Sequence, residues 1–185
     1  LVKNPTAGTM AFYIPQAQTT TAMKIITVSA STYSGNLGSS WNEIDGKCPT
    51  GYKAMVGGTV GGVIRRACTT SNCSSGGSSE HLNWVMSPYT EYKRADSNGG
   101  GKIFETTNIA IPSSMLQSVV STDSWVWTGL QSWYTWAGHN CNNWGSSLGS
   151  DVARMGYSNG PTVEQFHGWG EIICSQSLPV YCIEQ

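Results

Sequence analysis

Charge is scarce in this chain of 185 residues: Asp, Glu, Lys and Arg together make up 11% of it, and the formal net charge is −1. No polybasic field is available to concentrate nucleic acid or anionic lipid, so neither is expected as a partner. Lys and Arg stop altogether at Arg154, beyond which Glu164, Glu171 and Glu184 remain. No apolar run approaches the roughly 20 residues of a membrane-crossing helix, and membrane insertion of this domain is not expected. The chain opens at Leu1 without a basic start and an apolar run, so any leader peptide is expected to have been removed, or the chain is a fragment. A C-x-x-C pair is missing, and no His stands at ligand spacing from another His or Cys, which argues against a zinc site. No internal repeat is visible.

What is present in quantity is glycine, at 22 residues, with abundant Ser and Thr, a profile of many turns and short elements. The length fits one domain with a real core. Six cysteines, at 48, 68, 73, 141, 174 and 182, form an even set, which favours a disulfide framework in an oxidising compartment and a secreted or cell-surface location. Six cysteines allow 15 pairings, and spacing does not choose among them.

Residues 1–23 read as a lead-in, without cysteine and with two prolines, either a linker or an added strand. The domain proper is expected over 24–185. It starts at Lys24-Ile25-Ile26-Thr27-Val28-Ser29, whose β-branched content predicts a strand. Ser40-Trp41-Asn42-Glu43 fits a capping box and predicts a short helix with Cys48 at its end. Residues 52–56 read as a buried strand, and the pairs Gly57-Gly58 and Gly61-Gly62 bracket a turn. Pro112-Ser113-Ser114-Met115-Leu116 predicts a second short helix with proline in its first turn. Residues 125–128 and 180–183 are the strongest later strands, with a long loop-rich excursion between them.

Taken in order, Trp127-Thr128-Gly129-Leu130, Cys141-x-x-Trp144, a Gly-rich loop, Cys174 and the closing Tyr181-Cys182-Ile183-Glu184-Gln185 carry a resemblance. With Ser31 to Gly38, Arg65-Arg66-Ala67-Cys68-Thr69-Thr70 and Ser79-Glu80-His81 upstream, the chain from about residue 25 to its end resembles a bacterial surface-protein family of unknown function that is abundant in spirochaete lipoproteins. The C-terminal pattern is similar to the endostatin domain of collagens, a variant of the C-type lectin-like fold. The resemblance implies an α+β domain, with short helices around a twisted, mainly antiparallel sheet and long loops. It further implies the bridges Cys48 to Cys182 and Cys141 to Cys174, which leaves Cys68 and Cys73 to close a short local loop.

Trp125, Trp127, Trp133, Trp136, Trp144 and Trp169 crowd the last third, beside His139, His167, Asn140, Asn142 and Asn143. A flat aromatic that packs on a pyranose face, with amides to match the hydroxyls, is sugar-binding chemistry. Trp125, Trp127 and Trp144 are expected in the core. Trp133, Trp136 and Trp169 sit among Gly, Ser, His and Asn and are the expected stacking surfaces, with His139, Asn140, Asn142 and Asn143 as hydrogen-bonding partners. Arg65 and Arg66 are secondary candidates for an acidic partner. Calcium signatures of lectins of this fold are absent, and Asp96-Ser97-Asn98-Gly99-Gly100-Gly101 imitates an EF-hand start but has Thr107 where the bidentate Glu belongs, so a turn is expected there and no metal or other cofactor. Gly145-Ser146-Ser147-Leu148-Gly149, followed by Asp151 and His167, satisfies a hydrolase motif in letters, but no strand, sharp turn and helix are expected around it, and no enzyme is predicted. The expected function is recognition or adhesion, with a glycan or a matrix or host-surface protein as partner. The alternative is a tip or assembly module of a surface fibre, pilus or phage tail, with self-association through the lead-in.

Overall fold

The computed structural model describes residues 22–95, 100–122, 124–131, 134–135, 138–160, 162–167 and 170–185. Within them the protein is a mixed α+β fold, mostly sheet with few short helices, held by three disulfides. The bridges are Cys48–Cys182, Cys68–Cys73 and Cys141–Cys174, the pairing that the family resemblance implies.

The expected first strand is β1 (Ala22–Val28), so Ala22 and Met23 join the domain, and the rest of the lead-in, 1–21, lies outside the described residues. Its β-branched core residue Ile26 is fully buried. β1 pairs antiparallel with the C-terminal strand β11 (Tyr181–Glu184), with Thr27 opposite Cys182. β11 also pairs with β2 (Tyr52–Ala54), with Cys182 opposite Ala54, which brings the chain end back beside its start and close to Cys48. On the other side β1 runs parallel to β5 (Thr90–Arg94), followed by β6 (Lys102–Thr106) and β7 (Pro112–Met115). The order of this six-stranded sheet is β2-β11-β1-β5-β6-β7. β5 and β6 pair as a hairpin, and Arg94 N–H donates to the Gly101 carbonyl at 3.3 Å. A turn is what the Asp96 segment was expected to form, and residues 96–99 themselves lie outside the described residues.

β7 corrects the sequence reading, which placed a helix at Pro112. β7 is the edge strand of the sheet, where a residue without an N–H breaks no ladder bond, and Ser113 and Ser114 face solvent. Tertiary pairing with β6 overrides the helix-start signal.

Ser40 caps α1 (Trp41–Asp45), accepting from the Glu43 amide at 3.3 Å. Glu43 reaches back one residue further than a capping box, to the Ser39 amide at 2.7 Å. β3 (Gly58–Val60) and β4 (Val63–Arg65) form a hairpin whose turn is Gly61-Gly62, both at positive φ, so the turn lies at the second glycine pair and not between the two pairs, where Thr59 and Val60 are strand. A three-stranded antiparallel sheet joins β8 (Trp125–Trp127), β9 (Val152–Tyr157) and β10 (Gly170–Ile173).

Two apolar clusters fill the interior. One gathers Ile26, Tyr92, Phe104, Phe166, Tyr181 and Ile183. The other holds Leu37, Ile44, Val56, Trp127, Trp144 and Val180 with both long-range bridges, and Trp127 meets Trp144 edge to face at 6.1 Å. Trp127 and Trp144 are therefore core, as expected, but Trp125 is 38% exposed, its ring against Tyr157 across the strand pair. Val126 and Trp127 point to opposite faces of β8 and are buried in the first and the second cluster respectively, whereas Trp125, on the same face as Trp127, is left partly exposed at the start of the strand.

Candidate functional site

A cleft of about 300 Å³ opens between α1, β2, β4 and the segment that follows residue 82. Its lining comprises Trp41 and Trp84, the amides Asn42 and Asn83, the charged groups Asp45, Lys53 and Arg65, and Val63. The volume lies at the lower end of the roughly 300–1,000 Å³ usual for small-molecule sites.

Each wall is fixed by local chemistry. The Trp41 indole N–H donates to the Val63 carbonyl at 2.9 Å and the Trp84 indole N–H to the Ala110 carbonyl at 2.9 Å. Both rings are thereby locked with their polar edge satisfied, and what they offer a ligand is aromatic surface. Asn83, at a φ of 48°, donates to the Ile64 carbonyl at 2.8 Å, which leaves its own carbonyl oxygen as an acceptor. Asn42 and Lys53 are exposed.

The floor is an ion pair. Arg65 is 3% exposed and grips Asp45 with two parallel bonds, Nη1 to Oδ1 at 2.6 Å and Nη2 to Oδ2 at 2.8 Å. Nη1 also donates to the Ala54 carbonyl at 2.8 Å, and Asp45 Oδ1 accepts from the Ala54 amide at 3.0 Å. The guanidinium carbon lies 4.1 Å from the centre of the Trp41 ring, a cation–π contact. Arg65, a secondary candidate for an acidic partner in the sequence, is thus buried and paired within the chain, a bidentate partner of Asp45. Arg66 is half-buried, with Nε donating to the Glu80 carbonyl at 3.0 Å.

The loop face singled out by the sequence is distributed differently from expectation. Trp133, Trp136 and Trp169 lie outside the described residues. Asn140 is a correction: it is buried and caps α2 (Cys141–Trp144), accepting from the Asn143 amide at 3.0 Å. All four residues of α2 have positive φ, from 52° to 62°, so it is a single left-handed turn. Such backbone is costly at Cys141 and Trp144 and tolerable at the two asparagines. The Cys141–Cys174 bridge and the Trp144 indole bond to the Gly57 carbonyl at 2.9 Å hold it there. Asn142 and Asn143 consequently project into solvent. His139 is exposed and bonded to Glu171, whose carboxylate also pairs with Arg154 at 3.0 Å.

The remaining singled-out groups are structural. Glu80, nearly buried, receives the amides of Thr69, Thr70 and Gly76 and the hydroxyls of Thr69 and Thr70, all at 2.7 Å. Burial works against its charge, but these five donors prevail and hold its carboxyl well below the usual carboxylate range. They anchor the small Cys68–Cys73 loop. His81 lies between the carbonyls of Ala67 and Ile109, at 2.5 and 2.8 Å. His167 is buried edge-on to Tyr134, with ring centres 4.7 Å apart, and burial pushes its imidazole down to about 4. Ser147 sits in the exposed loop between α2 and β9, without the strand, sharp turn and helix of a nucleophile elbow. Among the described residues no group of three or more His, Cys, Asp or Glu side chains is placed to hold a metal ion, and no helix is long and apolar enough to cross a membrane.

The sequence reading missed the cleft. Its signal was present as two Trp–Asn neighbours, Trp41-Asn42 and Asn83-Trp84, 41 residues or more apart and brought together by the fold. Residues 29–160 match a family described as protein of unknown function (DUF1554), well over half of the chain, and the chain belongs to that family. No curated protein matches it.

Proposed function

We propose that this chain is an extracellular recognition or adhesion domain of C-type lectin-like or endostatin-like architecture, and that it binds a glycan in the Trp41–Trp84 cleft. The observation that carries the reading is the cleft itself: two locked indoles beside two amides and a charged floor. An aromatic face receives the apolar face of a pyranose, and Asn42, Asn83 and Lys53 match its hydroxyls. A short loop cluster bound to a sheet by disulfides suits a secreted or cell-surface setting, where such bridges persist. The architecture finds support in the return of β11 against β1 under the Cys48–Cys182 bridge and in the Cys141–Cys174 clasp on the long loop.

The test is a glycan array probed with the oxidised protein, its Trp84→Ala variant, and a variant with alanine at Trp133, Trp136 and Trp169. Saturable binding that falls at least about tenfold in Trp84→Ala, the loss of one stacking contact of about 1.4 kcal/mol, is expected. Binding that depends on the triple variant instead would move the site to the 129–169 face with His139, Asn142 and Asn143. No binding at all by folded protein would contradict the reading and favour protein recognition or fibre assembly.

A further inference from the structure

β7 ends the six-stranded sheet, and among the described residues no strand pairs with its outer side. Ser113 and Ser114 on it are exposed. An open edge of this kind is a template for a further strand. Beside it lies a hollow of about 200 Å³, walled by Ile109, Ile111, Pro112 and Val163, with Thr107 and Ser113 completing the lining. Its size suits one large apolar side chain rather than a whole small molecule, for which roughly 300–1,000 Å³ is usual. Strand addition uses this pairing of features, with main-chain bonds along an edge and pockets for alternate side chains.

The register of the sheet shows which segment reaches the edge. Ala22 stands opposite Thr90, the Thr90 amide donates to Thr106 Oγ1 at 2.9 Å, and Thr106 stands opposite Pro112. The start of β1 and the start of β7 therefore lie at the same end of the sheet, three strand spacings or about 14 Å apart. Two exposed apolar side chains stand at that end, Met23 at 60% and Tyr89 at 65%. The Tyr89 amide donates to the carbonyl of Thr107, which lines the hollow.

Upstream of Ala22 the sequence holds Met10-Ala11-Phe12-Tyr13-Ile14-Pro15. On an extended chain Met10, Phe12 and Ile14 share one face, and the proline closes the run. Residues 15–21 span up to about 23 Å, enough for the crossing from β7 to β1. A chain that arrives at Ala22 from the β7 edge runs against the direction of β7, the antiparallel sense.

We infer that residues 10–14 of this chain add an antiparallel strand to the outer edge of β7 and that Phe12 fills the hollow. The lead-in is then part of the domain, and it covers an edge open to pairing with other chains. The Trp41–Trp84 cleft, built on α1, β2 and β4, takes no part in this docking.

The experiment is hydrogen exchange on the oxidised 185-residue chain at two concentrations, beside Phe12→Asp and Ser113→Glu, an exposed change at the hollow. In the wild type the amides of residues 10–14 are expected to exchange at least about tenfold more slowly than in a free peptide of the same sequence. Both variants are expected to return them to the peptide rate. Peptide-like exchange in the wild type, or protection that survives both variants, would overturn the docking. Loss of protection in Phe12→Asp alone would overturn the hollow as its seat. Protection that appears only at the higher concentration, together with dimers in light scattering, would overturn the intrachain docking in favour of strand exchange between copies.

Discussion

At the residue scale, function and stability meet in Arg65 and Asp45. Arg65 is buried under Trp41 and held by both oxygens of the partly exposed Asp45, so removing that carboxylate leaves the guanidinium's charge uncompensated. Asp45→Asn is expected to cost about 3 kcal/mol, read as a lower urea midpoint at unchanged slope. An unchanged midpoint would show the pair to be dispensable. Nothing in Arg65-Arg66 announces this from the sequence, since adjacent arginines in a polar chain read as solvated charges. Their separation is set by the pleat of β4, which sends Arg65 inward to an Asp that α1 delivers from 20 residues upstream. Trp127 and Trp144 were legible as core because each follows or joins a strand or bridge motif. Trp125 was not, because it shares the face of Trp127 and only its place at the start of β8 leaves it exposed, which the Trp-Val-Trp run does not record. Asn140 was misread for a related reason: its amide looks available in sequence but completes the cap of a left-handed turn.

At the element scale, the three bridges close loops of very different length, with sequence separations of 134, 33 and 5 residues. In the chain-entropy model they stabilise by about 5, 4 and 2 kcal/mol. Replacing each cysteine pair with serine is expected to lower stability in that order, measured by chemical denaturation, and a reversal would show that local packing outweighs loop closure. Gly35 gives a sharper test of the Cys141–Cys174 clasp. A Cβ there would stand 2.1 Å from Cys141 Sγ and 2.8 Å from Cys174 Cβ, so Gly35→Ala is expected to displace the bridge and the left-handed turn with it. Wild-type thermal stability of the oxidised Gly35→Ala protein would contradict that packing. The strand of β-branched residues at the start of the domain and the capped helix were readable from local sequence, and the glycine pairs marked a turn nearby but not its position, since Gly58 to Val60 form β3. The β7 strand was not, because its identity comes from pairing with β6 and from its edge position, which no local signal records.

At the scale of the whole molecule, two buried titratable groups set the acid limit. His167 has an ordinary value near 6.5 when exposed and about 4 in the fold, so the native state binds fewer protons than the unfolded chain between those values. Stability from this group is complete above about pH 6.5, declines as the pH falls toward 4, with a slope of at most about 1.4 kcal/mol per pH unit, and then levels off. Glu80, held well below the usual carboxylate range, acts lower: its contribution is present above about pH 4.3 and is lost below it. Urea titrations at several pH values are expected to show both windows, and His167→Gln to flatten only the upper one. An upper window unchanged in His167→Gln would assign it to another group.

The disulfide pairing was accessible at this scale because the order of the C-terminal motifs matched a known pattern. The cleft was not, since its two tryptophans belong to separate segments and meet only after β4 and the segment beyond residue 82 are placed. Its occupancy is the central claim, and the most direct measurement is equilibrium binding of the oxidised protein to a glycan array, side by side with Trp84→Ala and with and without EDTA. Saturable binding to defined sugars, indifferent to EDTA and lost in Trp84→Ala, is the predicted result. Silence of the folded protein, or binding that Trp84→Ala leaves intact, would contradict it.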